Sequence, residues 1–189
     1  MTVQEAIAVP TAWKFRARDF VLLSDSGSFD DYARSELIEG EIWVVQAVHT
    51  KHSAMHGALN GPLWTWKQQS GSDLVVHSTP TVEVSEQSLP QPDLILAEPD
   101  AGPYVPVGKV RLAVEISDTS DRHDLGPKLR LYAAAGIPEY WVADVNARVI
   151  HQMWAPAGEA YAERREVAFG EVVEAVTIGG LKVETGGLL

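Results

Sequence analysis

The alternation of apolar and polar positions divides the chain into a lead-in and a series of helix-like and strand-like segments. Residues 1–15 keep neither period and read as a loose N-terminal lead-in, with a single domain expected over 16–189. The stretch "RARDFVLLSDS" predicts a short helix with Phe20 and Leu23 turned inward. In "SELIEGEIWVVQAV" two apolar stretches flank Glu39-Gly40, which is the turn chemistry of a β-hairpin. From His52 to about Gln69 the spacing of Met55, Leu59, Leu63 and Trp66 predicts an amphipathic helix. Pro62 falls inside it and costs roughly 3 kcal/mol or more there, so a kink or a restart is expected at that point.

Four short apolar pieces follow, "DLVVHS", "TVEVS", "PDLILA" and "VRLAVEIS", separated by proline- or glycine-rich turns, and together they predict the centre of a sheet. Gly126-Pro127 suits a helix start, and Gly136 with Pro138 suits its stop. Beyond it, "EYWVADV" and "RVIHQMW" read as strands joined by a turn at Asn146, with a weaker strand pair reaching to about Val176. No internal repeat or linker interrupts the pattern, and the expected class is α/β.

Composition narrows the function classes. Aspartate and glutamate number 26 against 15 lysines and arginines, a formal net charge of -11, so the chain repels polyanions at long range. A nucleic-acid enzyme of this charge needs a local basic patch or a partner that supplies one. The chain has no cysteine, which excludes disulfides, thiolate zinc sites, iron–sulfur clusters and cysteine nucleophiles, and fits a reducing cytoplasm. The start "MTVQEAIAVPTAWKFRARDF" lacks the basic and apolar regions of a signal peptide, and no apolar run reaches membrane-spanning length. A cytoplasmic location without membrane attachment is therefore expected.

Strand parity isolates the candidate chemistry. Along "RLAVEIS", Leu112, Val114 and Ile116 share one face, while Arg111, Ala113, Glu115 and Ser117 share the other. A carboxylate on a strand this apolar needs a compensating cation or hydrogen-bond donors. Asp93 opens "PDLILA" after Pro92, and beside Glu115 it would complete an oxygen-only pair suited to Mg²⁺ or Mn²⁺. Lys128, on the following helix, is the candidate positive group: it could orient or deprotonate an attacking water, or stabilise charge in the transition state. Lys109 has Glu115's parity but lies six residues away along the strand, about 20 Å, beyond the reach of its side chain. Against this stands a structural reading, in which an aspartate after proline merely starts a strand and a glutamate and lysine form an ordinary ion pair. In "HTKHSAMH", His52 and His56 are spaced to share a helix face, yet no HExxH glutamate or cysteine is present to complete a zinc site.

Taken in order, "SELIEGEI", a histidine before the first long helix, "LPQPDLIL", "LAVEIS" and "DLGPKLRLYAAAGIPEYWVADV" resemble the Uma-type restriction endonuclease family of the PD-(D/E)xK nuclease superfamily over about residues 16–155. The resemblance implies a restriction-endonuclease-like α/β core, a mixed central sheet flanked by helices with added β-hairpins. It implies a Mg²⁺-dependent endonuclease acting on DNA, with Asp93 and Glu115 as the metal-binding acids and Lys128 as their catalytic partner. The superfamily's usual lysine position, two residues after the second acid, holds Ser117 here. Glu36 and His52 match further family positions and are additional site candidates, each with an alternative reading as a solvated strand residue or a surface or helix-capping group. Paired cutting in this superfamily implies a homodimer. Asp118, Asp121 and Asp124 read as turn and helix caps, Arg122, His123 and Arg130 as groups able to touch a phosphate backbone, and Tyr132, Tyr140 and Trp141 as core. A non-catalytic binding module with the same fold and a hydrolase of small phosphate esters remain as alternatives.

Overall fold

A computed structural model describes residues 11–47, 50–118 and 123–188. Helix α1 (Ala17–Asp25) precedes a hairpin of β1 (Arg34–Ile38) and β2 (Glu41–Val45), after which comes the long helix α2 (Thr50–Ser70). The rest is built around a six-stranded mixed sheet of β3 (Val75–Ser78), β5 (Leu94–Ala97), β7 (Val110–Ser117), β8 (Glu139–Asp144), β9 (Val149–Ala157) and β10 (Ala160–Ala168). Strand order is β10-β9-β8-β7-β5-β3, and only β7 and β8 run parallel. A parallel pair needs a crossover, and here the crossover carries helix α3 (Leu129–Ala134). The result is the α/β architecture expected from the segment pattern. No described helix is long and apolar enough to cross a membrane.

The period of two sorts side chains onto two cores. Leu94 and Leu96 of β5 and Leu112, Val114 and Ile116 of β7 face α2, where Met55, Leu59 and Leu63 meet them. Ile95 and Ala97, with Ala113 of β7 and Tyr140 and Val142 of β8, face the opposite side, under Leu131 and Tyr132 of α3. Glu115 and Ser117 have the parity of Ala113, so they belong to the α3 side of the sheet.

Three segments depart from the pattern. Helix α2 runs without interruption through Pro62 instead of restarting there. Leu59 and Leu63 on either side of the proline are buried, and their burial, about 1.5–3 kcal/mol each, offsets a proline cost of about 3 kcal/mol. The segment "TVEVS" does not join the central sheet. Only β4 (Val82–Glu83) forms from it, pairing in parallel with β6 (Val105–Pro106), because Pro80, Pro90 and Pro92 deny the flanking backbone a full ladder. The helix around Gly126-Pro127 begins earlier than expected, with a π-helical turn over Asp124–Lys128 that leads directly into α3. Proline, lacking an N–H, sits inside this widened turn rather than at a first helical position.

The hairpin turn is as expected. Glu39 and Gly40 both have positive φ, 50° and 78°, as the twist of a two-residue hairpin turn demands. A Cβ on Gly40 would also lie 2.7 Å from that of Lys14. Leu89 N–H donates to the Leu37 carbonyl at 2.7 Å and Gly40 N–H to that of Gln87 at 2.8 Å, so β1 is fastened along the segment that leads into Asp93. Phe20, Leu37 and Leu89 seal this corner.

Glu139, at the head of β8, is wholly buried and anchors the C-terminal region. It accepts hydrogen bonds from Trp141 Nε1 at 2.7 Å, Gln152 Nε2 at 2.6 Å, the backbone N–H groups of Val176 at 2.9 Å and Thr177 at 2.8 Å, and the Thr177 hydroxyl at 2.8 Å. Glu139→Ala deprives the buried Trp141 and Gln152 side chains of their shared acceptor, at about 1–3 kcal/mol each, and frees the Val176–Thr177 backbone that it holds. A destabilisation of about 3 kcal/mol or more is expected in urea unfolding with an unchanged slope, and a loss below about 1 kcal/mol would contradict this anchoring role.

Candidate functional site

Asp93 and Glu115 meet because of strand register. Leu94 of β5 pairs with Val114 of β7, and continuing that register by one residue sets Asp93 opposite Glu115 on the α3 side of the sheet. Asp93 Oδ2 accepts the backbone N–H of Ile116 at 2.7 Å, which fixes the carboxylate against the edge of β7. Lys128 enters from the π-helical turn. Its Nζ lies 2.9 Å from Glu115 Oε1 and 2.9 Å from Glu36 Oε1, with Asp124 Oδ1 at 4.0 Å. Tyr132, one helical turn past Lys128 on the same face, donates its hydroxyl to Glu115 Oε1 at 2.9 Å.

The hairpin supplies the remaining wall. Glu36 accepts the Gln91 N–H at 2.7 Å as well as Lys128, and is buried rather than solvated. Two residues earlier on the same strand face, Arg34 donates to Asp93 Oδ1 at 2.6 Å and to the Gln91 carbonyl at 3.1 Å. His52, in the first turn of α2, places Nε2 3.1 Å from the same Asp93 oxygen. One turn later His56 Nε2 lies 3.2 Å from the Asp93 carbonyl and 3.0 Å from Ser78 Oγ. The shared helix face of the two histidines therefore packs on Asp93. Lys109 is outside the cluster, with its Nζ 2.6 Å from Asp100.

Four carboxylates, Glu36, Asp93, Glu115 and Asp124, face two permanent cations, Lys128 and Arg34, in a pocket nearly sealed from water. Burial opposes ionisation of Glu36, but Lys128, His123 and the Gln91 N–H outweigh it and lower its pKa to about 2. For Asp93 burial is likewise outweighed, by His52 and Arg34, and the carboxyl stays well below the usual range. Glu115 goes the other way: its complete burial, only partly offset by Lys128 and reinforced by Asp93, Asp124 and Glu36, holds its pKa well above the ordinary value. Burial disfavours the Lys128 ammonium, yet the carboxylates around it, Glu115 and Glu36 first, keep it charged beyond the ordinary lysine range.

The donor chemistry fits a hard divalent cation. Asp93 and Glu115 offer oxygen donors side by side, and excess negative charge in a dry pocket is the condition that a cation relieves. Among the described residues no group of three or more His, Cys, Asp or Glu side chains could hold a metal ion, but Mg²⁺ needs only one or two protein carboxylates and keeps several waters. The competing demand is on Asp93. Arg34 and His52 already engage its Oδ1 and the Ile116 N–H its Oδ2, so an incoming ion must share these oxygens or displace a partner.

Glu36, His52, Asp93, Glu115 and Lys128, all singled out from sequence, thus come together in one place. Arg34 and the Tyr132 hydroxyl were missed. Arg34's signal was its parity with Glu36, and Tyr132's was its spacing of four from Lys128. Asp124 is buried, with its Oδ1 4.0 Å from Lys128 Nζ. Asp121 and Arg122 lie outside the described residues, and Arg130 is exposed. Tyr132, Tyr140 and Trp141 are buried as expected.

The chain matches the Uma2 family, described as "Putative restriction endonuclease", over residues 19–185. No curated protein matches it. Among solved structures it is similar to a crystal structure titled as a putative nuclease belonging to DUF820 from Anabaena variabilis. That likeness has a TM-score of 0.69 and 14% sequence identity, and covers 92% of this chain and 97% of the other, so the two share a fold.

The buried charges carry a measurable consequence for stability. Lys128→Ala strands Glu36 and Glu115 without their cation, and a loss of about 3–5 kcal/mol is expected in urea unfolding. Glu36 ionises near 2 in the folded chain against an ordinary 4.5, so its stabilisation is full above about 4.5 and lost as pH falls toward 2. The stability gap between the native chain and Glu36→Gln should therefore narrow across that window, and a gap independent of pH would contradict the pairing.

Proposed function

From the premise that this chain belongs to the Uma2 family, we propose that it is a metal-dependent endonuclease hydrolysing phosphodiester bonds in DNA. The observation that carries the reading is the convergence of Asp93, Glu115 and Lys128, with the Lys128 ammonium 2.9 Å from Glu115 and braced at the same distance by Glu36.

Asp93 and Glu115 would hold Mg²⁺, or Mn²⁺ in its place. Such an ion, when bound, supplies a polarising charge for the phosphate and lowers the pKa of water. Lys128, surrounded by carboxylates, remains protonated and contributes fixed positive charge where negative charge develops on the phosphoryl oxygens. Glu36 positions that ammonium, Tyr132 orients the Glu115 carboxylate, and His52 and Arg34 orient Asp93. Near-complete burial of Lys128 and Glu115 keeps bulk water from screening these charges. Each chain carries one such cluster among its described residues, so a homodimer is the form in which this reading would have both strands of a duplex cut at one place.

A second reading, a binding module that retains the fold, is favoured by one observation: Arg34, His52 and the Ile116 N–H already engage the oxygens of Asp93. Metal titration separates the two. Saturable Mn²⁺ binding, followed by electron paramagnetic resonance and abolished by Asp93→Asn, is expected of the enzyme, and no saturable binding is expected of the module. Supercoiled DNA should be nicked only with Mg²⁺ or Mn²⁺. Lys128→Gln should lower the rate about 10²–10³-fold, the usual effect of losing one charge-stabilising donor. Undiminished nicking by both variants would sink the assignment, and hydrolysis confined to small phosphate esters would move the substrate class.

A further inference from the structure

A large aromatic side chain stands exposed beside the buried cluster. In the hairpin Glu36 pairs with Trp43 and Arg34 with Val45, and directly opposed residues of antiparallel strands share a face. The face that sends Glu36 to Lys128 and Arg34 to Asp93 therefore also carries Trp43. The Trp43 ring centroid lies 4.4 Å from that of His123, and His123 Nε2 lies 3.9 Å from Glu36 Oε2. Side-chain exposure grades from 3% or less at Asp93, Glu115 and Lys128, through 13% at Arg34, 16% at His52 and 18% at His123, while Trp43 stands 42% exposed. Exposure thus rises from the buried charges through the hairpin and the two histidines to the indole, which is the most exposed side chain of this series.

An indole there is suited to the face of a planar aromatic group carried on the same chain as a phosphate, which describes a nucleobase. We propose that Trp43, backed by His123, is a stacking platform for an unpaired base next to the phosphate at Asp93, Glu115 and Lys128, so that the preferred substrate is single-stranded or locally unpaired DNA. The inference rests on the nuclease reading above and adds the substrate class. Inside a duplex both faces of a base are covered by its neighbours, so an indole can stack only on a base that is unpaired or turned out of the helix. Stacking adds affinity that does not come from phosphate neutralisation, which matters for a chain whose net charge of -11 repels either form of DNA at long range.

The test uses the full chain without divalent metal and a fluorescein-labelled oligonucleotide, single-stranded or as the matched duplex, followed by anisotropy. Single-stranded DNA should bind more tightly than duplex. Trp43→Ala should weaken single-strand binding about 5- to 150-fold, the range for one stacked base, Trp43→Phe should recover most of it, and duplex binding should stay unchanged. With Mg²⁺, an unpaired bubble should be cut faster than the surrounding duplex. Unaltered single-strand affinity in Trp43→Ala, with DNA still cleaved, overturns the platform and leaves the nuclease reading standing. A Trp43→Ala chain that changes its mass in solution but not its DNA affinity also overturns it, by assigning this face to a second copy. A native chain that neither binds nor cuts any DNA overturns both readings.

Discussion

Lys128 is a fully charged group held in a nearly dry place, and the arrangement around it is what the surrounding structure has to sustain. Taking an ammonium out of water costs several kcal/mol after relaxation, and only well-placed acceptors offset that. Its acceptors come from distant parts of the chain: Glu36 on the hairpin, Glu115 on the central strand β7 and Asp124 within the same helical turn. None of these elements can shift alone without leaving a buried charge unpaired. Hairpin, sheet and crossover helix are therefore tied to one another through a single nitrogen.

The same constraint explains the irregular start of the crossover. A π-helical turn widens the helix over Asp124–Lys128, and the chain continues into α3 with Tyr132 one turn later. Lys128 and Tyr132 both reach Glu115 Oε1, one as a cation and one as a neutral donor. Asp93 is restrained separately, by Arg34, His52 and the Ile116 N–H. Two carboxylates in adjacent strands thus have different partners and different proton affinities, Asp93 ionised and Glu115 resistant to ionisation. Such divergence between neighbouring acids is common where a site does chemistry, and structural ion-pair networks produce it too.

The chain as a whole is acidic, and the exposed aromatic side chain that shares the hairpin face with Glu36 and Arg34 is the indole of Trp43. That combination distinguishes attraction by charge from attraction by stacking. The chain belongs to the Uma2 family, and its fold is shared with a solved structure of low sequence identity.

Local periodicity was enough to determine the hairpin with its Glu39-Gly40 turn, the faces of β5 and β7 and the long helix α2, because turn φ angles and side-chain parity are properties of short windows. Parity also singled out Glu115, whereas Asp93 and Lys128 were candidates by residue type, position and family resemblance. Periodicity was also enough to place Leu112, Val114 and Ile116 opposite Glu115. It could not decide that α2 would run through Pro62, since that depends on how much apolar surface Leu59 and Leu63 bury against a sheet formed later in the chain. Nor could it show that Arg34 would occupy Asp93, that Glu36 would brace Lys128, or that Glu139 would tie down Val176 and Thr177. Those pairings span 37 to 92 residues, and partner choice over such distances follows from strand register and helix docking. Charge and residue type were written in the sequence, whereas the burial that makes those charges interact strongly came only with the tertiary structure, because it is exclusion of water that lowers the local dielectric.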